Sequence, residues 1–314
     1  MKQTIKGEIM LAFAAIIWGT AFIFQKMGMD HIGPMTFTFF RFGLGAVAMI
    51  PVVIVADKIS QRREDPANDG MPGTPSNEPV FLEMLHDRTL LYGVLACGMA
   101  NFVASALQQI GIVSTTAGKA GFLTAMEMFF VPFILVLLRR HVHGLTWLGV
   151  VVGIVGMYLL TMKEGFSMAT GDLFCIGGAI CFAVQILSID HFVEKVDPIK
   201  LAFGEFVVTA VMSLICTLLF EEIIWADILA CIWPILYTAI LEVCAAFTLQ
   251  MIGQQYAQPA IATIIMSFES VFAALSGAVF LDEVMTGREI LGCVIMFAAF
   301  IIAEIPEMMD NNEG

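Results

Sequence analysis

The chain has 314 residues, 59% of them hydrophobic and 14% charged, with a mean hydropathy of +0.88. A water-soluble domain carries about 25% charged residues, so this composition excludes an ordinary soluble fold. The net charge of −13 comes largely from short loops and a tail holding Glu304, Glu307, Asp310 and Glu313, and there is no basic patch with interleaved aromatics of the kind that binds nucleic acid.

Long apolar runs recur at helix-plus-loop intervals, the pattern of a polytopic helical membrane protein. Barrel strands would alternate polar and apolar residues, and these runs do not. The spacing predicts an all-α integral membrane protein with ten transmembrane helices, at about 7–28, 34–56, 89–110, 117–138, 145–162, 170–190, 199–220, 229–252, 258–281 and 288–305. Lys2 and Lys6 precede an apolar run that continues to about Met27 without a small-residue cleavage site, so it reads as a retained first span. Residues 57–88 include REDPANDGMPGTPSNEP, too polar to build a core, and read as a mobile cytoplasmic loop.

Lysine and arginine placement sets the orientation. With the N-terminus inside, the cytoplasmic face receives Lys2, Lys6, Lys58, Arg62, Arg63, Arg88, Arg139, Arg140, Lys195 and Lys200, and the outer face only Lys26, Lys163 and Arg288. Both termini are therefore expected in the cytoplasm, with the chain multi-pass in the cell (inner) membrane.

The chain also repeats itself. An offset of 142 places Gln108 on Gln250, Gly111 on Gly253, Ala120 on Ala262, Glu127 on Glu269 and Phe130 on Phe272. Five helices per half is an odd number, so the second half enters from the opposite side. The expected architecture is two inverted five-helix repeats, 7–163 and 170–305, with a substrate site between them near the midplane.

At these residues the chain resembles the EamA-type drug/metabolite transporters. The first half carries WGTAF at 18–22, TFFRFGLGAV at 38–47, LQQIGIVSTTAGKAGFLTA at 107–125 and VPFILVLL at 131–138; the second carries SFESVFAALSGAVFLDEVMTGREILG at 267–292. The resemblance spans about residues 7 to 305 and implies ten helices, an inner-membrane location and movement of small metabolites. Glu127 stands where that subgroup more often has an aromatic or apolar residue, whereas Glu269 belongs to a motif common in the family.

An ionisable side chain inside a bilayer costs a few kcal/mol and usually faces a bundle interior or a wet cavity. Lys119 and Glu127, on one predicted span, are thus the first candidates: the lysine for an anionic substrate group, the acid for a cation or proton. The alternatives are a snorkelling or ion-paired lysine and a hydrogen-bonded packing acid. Glu269, Glu242 and Glu205 are further buried-acid candidates, and Arg41 is either their counter-ion or a substrate ligand. Gln108, Gln185 and Gln250, with Gln109 and Asn101, could bind polar substrates or join helices. Trp18, with Phe22 and Phe129, could form an apolar wall. Gly149, Gly153 and Gly156 permit close helix contact, within the subunit or along a homodimer seam.

The seven cysteines lie mostly in apolar runs without CxxC spacing, and His141 and His143 are too few for a metal site, so no metal or cofactor is expected. A small-molecule substrate and the lipid bilayer are the expected partners, with no nucleic acid. The sequence favours a secondary transporter of a small polar metabolite, an amino acid or related organic ion. An exporter of amphipathic compounds, an intramembrane enzyme and a structural membrane subunit are the alternatives. HExxH, GxSxG and the P-loop are all missing from the sequence, which weighs against a non-transport enzyme or an ATP-driven pump.

Overall fold

The computed structural model describes residues 2–63, 86–115, 117–161, 169–280 and 286–310, and among these all regular structure is helical. In chain order the elements are α1 (Lys2–Gly28), α2 (Pro34–Arg63), α3 (Arg88–Ser114), α4 (Ala117–Thr124), α5 (Glu127–Leu137), α6 (Gly144–Thr161), α7 (Thr170–Val193) and α8 (Pro198–Phe220). There follow α9 (Trp225–Ala230), α10 (Ile232–Tyr237), a π-helical stretch Thr238–Phe247, α11 (Thr248–Gln254), α12 (Pro259–Met266), α13 (Glu269–Phe280) and α14 (Gly287–Asp310). Among the described residues, seven stretches are long and apolar enough to cross a membrane, and the shorter Gly144–Leu160 and Pro259–Ala273 are also apolar. Large apolar side chains such as Leu137, Leu218, Phe220 and Phe297 point outward, as a lipid-facing surface requires. The chain is a multi-pass membrane protein.

Local chemistry explains several helix ends. Asp87 accepts hydrogen bonds from the amides of Thr89 and Leu90 and starts α3; Asp197 does the same for Ile199 and Lys200, with Pro198 at the first position of α8. Three expectations need correction. The predicted helices 117–138 and 258–281 are each broken in two. The predicted helix 229–252 is preceded by a separate short helix and contains the π-helical stretch. Residues 57–63, expected in a loop, continue α2, because VADKISQRR has no breaker; residues 64–85 of that loop lie outside the described residues.

The packing pairs elements of the two halves. Gly111 and Gly171 let α3 and α7 meet backbone to backbone: a Cβ on Gly111 would lie 2.7 Å from the Gly171 carbonyl oxygen. Gly7 and Gly253 do the same for α1 and α11, with a Cβ on Gly7 falling 2.7 Å from the Gly253 carbonyl. Offsets of 142 and 164 carry Gly111 onto Gly253 and Gly7 onto Gly171, so the two contacts are equivalent. A second equivalent pair joins α2 and α8. Glu221 caps α2 through the amides of Met35 and Thr36 at 2.9 and 2.7 Å, while Asp57 meets Lys200 at 3.4 Å. Gly149 and Gly156 of α6 pack directly on Ala299, Ala303, Gly292 and Met296 of α14.

Candidate functional site

The two breaks occupy equivalent positions. In the first half the amide of Met126 bonds to the Leu123 carbonyl and that of Met128 to Ala125; in the second, Phe268 bonds to Ile265 and Ser270 to Ser267. Each break is thus a pair of tight i to i−3 turns, and each is followed at once by a glutamate opening the next half-helix, Glu127 for α5 and Glu269 for α13. The positive end of each half-helix dipole therefore sits beside a carboxylate. Gly19 of α1 permits this arrangement, since a Cβ there would lie 2.5 Å from the Glu269 carbonyl oxygen.

Glu242 is set on the π-helical stretch, a wound-out geometry that often marks functional positions. Its carboxylate accepts from the Arg41 guanidinium at 2.7 Å and from the Gln25 amide at 2.8 Å. Arg41 is 1% exposed and its guanidinium carbon lies 5.0 Å from the Phe42 ring centre, so this pair is shielded from bulk solvent. Glu205 lies outside that pair and accepts from Gln185 at 2.8 Å. Asn101 donates to Thr209, joining α3 to α8.

These elements enclose a cavity of about 40 Å³. Eight of the ten predicted site residues line it: Trp18, Arg41, Gln108, Glu127, Gln185, Glu242, Gln250 and Glu269. Phe22, Gln25, Ser105, Thr124, Phe182 and Phe247 complete the wall. Of these, Gln25, Ser105, Thr124, Phe182 and Phe247 were not anticipated. Two signals could have found two of them: Gln25 shares a helical face with Trp18 and Phe22, and an offset of 164 carries Trp18 onto Phe182. Neither Glu127 nor Glu269 accepts a hydrogen bond or an ion pair from any described residue, and both are less than 9% exposed.

Lys119 and Glu205 do not line the cavity. The Lys119 ammonium is bound by Asp172, a fully buried carboxylate that also accepts from the Thr115 hydroxyl at 2.8 Å and the Ala169 amide at 2.6 Å. Lys119 therefore ties α4 to the start of α7 instead of facing the cavity. Beside it, Lys26 donates to the carbonyls of Ile112, Val113 and Thr115 at the end of α3. Phe129 also lies elsewhere, packed on Phe133 and Trp147.

The sequence profile of the EamA-like transporter family matches residues 5–162 and again residues 169–304. The chain belongs to the EamA-like transporter family. Among relatives in this family, an uncharacterized transporter of Archaeoglobus fulgidus is 27% identical over 304 residues, covering 95% of this chain and 86% of that protein. The threonine/homoserine exporter RhtA of Escherichia coli K12 is 25% identical over 217 residues, covering 67% of this chain and 68% of that protein. A solved crystal structure of a protein shares the EamA-family fold, with a TM-score of 0.68 at 16% identity over 94% of this chain and 95% of its own.

Proposed function

We propose that the protein is a secondary transporter that carries a small polar metabolite, an amino acid or related organic ion, across the cell membrane. In this reading ten membrane helices form two inverted five-helix halves, 7–163 and 170–305, with both termini in the cytoplasm. The observation that carries the reading is the polar cavity between two helix breaks at equivalent positions, each opened by a glutamate. Discontinuous helices meeting near the midplane of paired repeats are the usual setting of a carrier's substrate site. Further support comes from the two glycine contacts. The Gly111–Gly171 contact lies at the end of α3 and the Gly7–Gly253 contact at the start of α1, opposite membrane faces in the ten-span topology. The family relationship supports transport, and the threonine/homoserine specificity in the name of RhtA favours the amino-acid class.

The cavity's size has a mechanistic consequence. Its 40 Å³ suits a few waters, each needing roughly 10–15 Å³, and is smaller than a metabolite. The site must therefore widen to load, as a carrier does when one half rocks against the other. The test is a thermal-unfolding screen of the purified protein against a metabolite library, because a ligand held by the folded state raises its stability by mass action. The reading expects a metabolite whose stabilising effect disappears in Gln108→Ala and Gln250→Ala. Stabilising metabolites that act equally on wild type and on both variants would remove the cavity from the account.

A further inference from the structure

Resting on the transporter reading, we infer that the cavity selects an organic cation, seating a substrate ammonium between the carboxylates of Glu127 and Glu269. The charge of the lining is the first reason. Three carboxylates and one guanidinium face the cavity, and Arg41 is already committed to Glu242 at 2.7 Å. Glu127 and Glu269 line the same cavity and are left without a cationic partner among the described residues. Ionising both in so dry a place requires a positive charge between them. Each half-helix N-terminus already has the chain's own carboxylate in its first turn, a charge that repels an incoming anion.

The second reason is independent of the acids. The amide oxygens of Gln25 and Gln185 are buried and without a hydrogen-bond donor. Their orientation is fixed, because each side-chain nitrogen donates to a carboxylate, Glu242 and Glu205 respectively. The second oxygen of Glu242 is likewise unmatched. Gln250 adds another unmatched amide oxygen and Arg41 one unmatched donor, its Nε, so the wall presents acceptors in excess and asks its occupant for donors. An ammonium brings three donors and no acceptor. The aromatic faces of Trp18, Phe22, Phe182 and Phe247 complete a site suited to a cation with an apolar body. A metal ion fits less well, since among the described residues no three acidic, cysteine or histidine side chains lie close enough to hold one.

The test uses the full-length protein in nanodiscs and isothermal titration. The probes are 1,5-diaminopentane against 1,5-pentanediol and lysine against norleucine, with glutarate and sodium chloride as further arms. The diamine and lysine should bind at least tenfold more tightly than the counterparts that lack their terminal ammonium, a comparison that needs no variant. E127Q and E269Q, which keep shape, should each weaken amine binding ten- to hundredfold. Equal binding of diol and diamine, amine affinity unchanged in both variants, or a response to sodium alone would overturn the inference. Counterflow of norleucine or glutarate that ignores both substitutions would also overturn it while leaving the carrier reading intact. Amine binding that needs both glutamates, without flux of any solute, would uphold the cation site and remove the carrier reading instead.

Discussion

The buried Arg41–Glu242 pair makes a quantitative prediction about stability. At 2.7 Å and an effective dielectric near 20, two unit charges attract by about 6 kcal/mol before desolvation is charged against them. Replacing Glu242 by Leu leaves the guanidinium, 1% exposed, beside the rings of Phe42 and Phe37 without its anionic partner. Breaking such a pair costs about 3–5 kcal/mol, whereas replacing both members by apolar residues of similar volume is often close to neutral. E242L and R41M should therefore each destabilise by about that amount, and the double variant by much less than either. Unfolding in mixed micelles of rising SDS fraction, followed by circular dichroism, gives all four corners of the cycle. Single losses that simply add in the double variant would refute the claim that this pair links α2 to the π-helical stretch as one unit.

The remaining predictions are shorter. Gly19→Ala places a methyl 2.5 Å from the Glu269 carbonyl oxygen, so it should destabilise by about 1–3 kcal/mol on the same unfolding assay, and an unchanged midpoint would mean α1 can shift freely. Asp172→Ala should cost more than Lys119→Met, because Asp172 serves three donors and Lys119 approaches as only one of them. Lys119→Met should leave solute affinity within about twofold by titration, since charge contacts worth about 1.5–3 kcal/mol are made only by side chains that reach the solute. A reporter fused after Gly314 should be cytoplasmic and one near Lys163 external, and the reverse pattern would overturn the ten-span topology.

Much of the architecture was legible because hydropathy and helix spacing report directly on bilayer crossing. Charge inside apolar runs singled out Arg41, Glu127, Glu242 and Glu269, all of which reach one cavity. Lys119 was misleading for a physical reason. Its partner Asp172 lies 53 positions away in sequence, at the head of α7, and only packing brings the two together. The helix breaks before Glu127 and Glu269 left no breaker in the sequence: Ala125–Met126 and Ser267–Phe268 contain neither glycine nor proline. Pro132 sits inside α5 rather than at the break. The π-helical stretch is equally silent in TAILEVCAAF; its Val243 packs against Gly45 of α2, a contact between residues far apart in the sequence.

Counterflow in proteoliposomes addresses the central claim most directly. Vesicles loaded with a saturating solute that stabilises the purified protein are diluted into a trace of the same labelled solute, and accumulation is followed with time. A carrier with a single central cavity predicts transient, saturable accumulation of label above the equilibrium level, lost when Gln108 and Gln250 are both replaced by alanine. Label that only equilibrates, at a rate linear in concentration, would mean a passive pore and contradict the account.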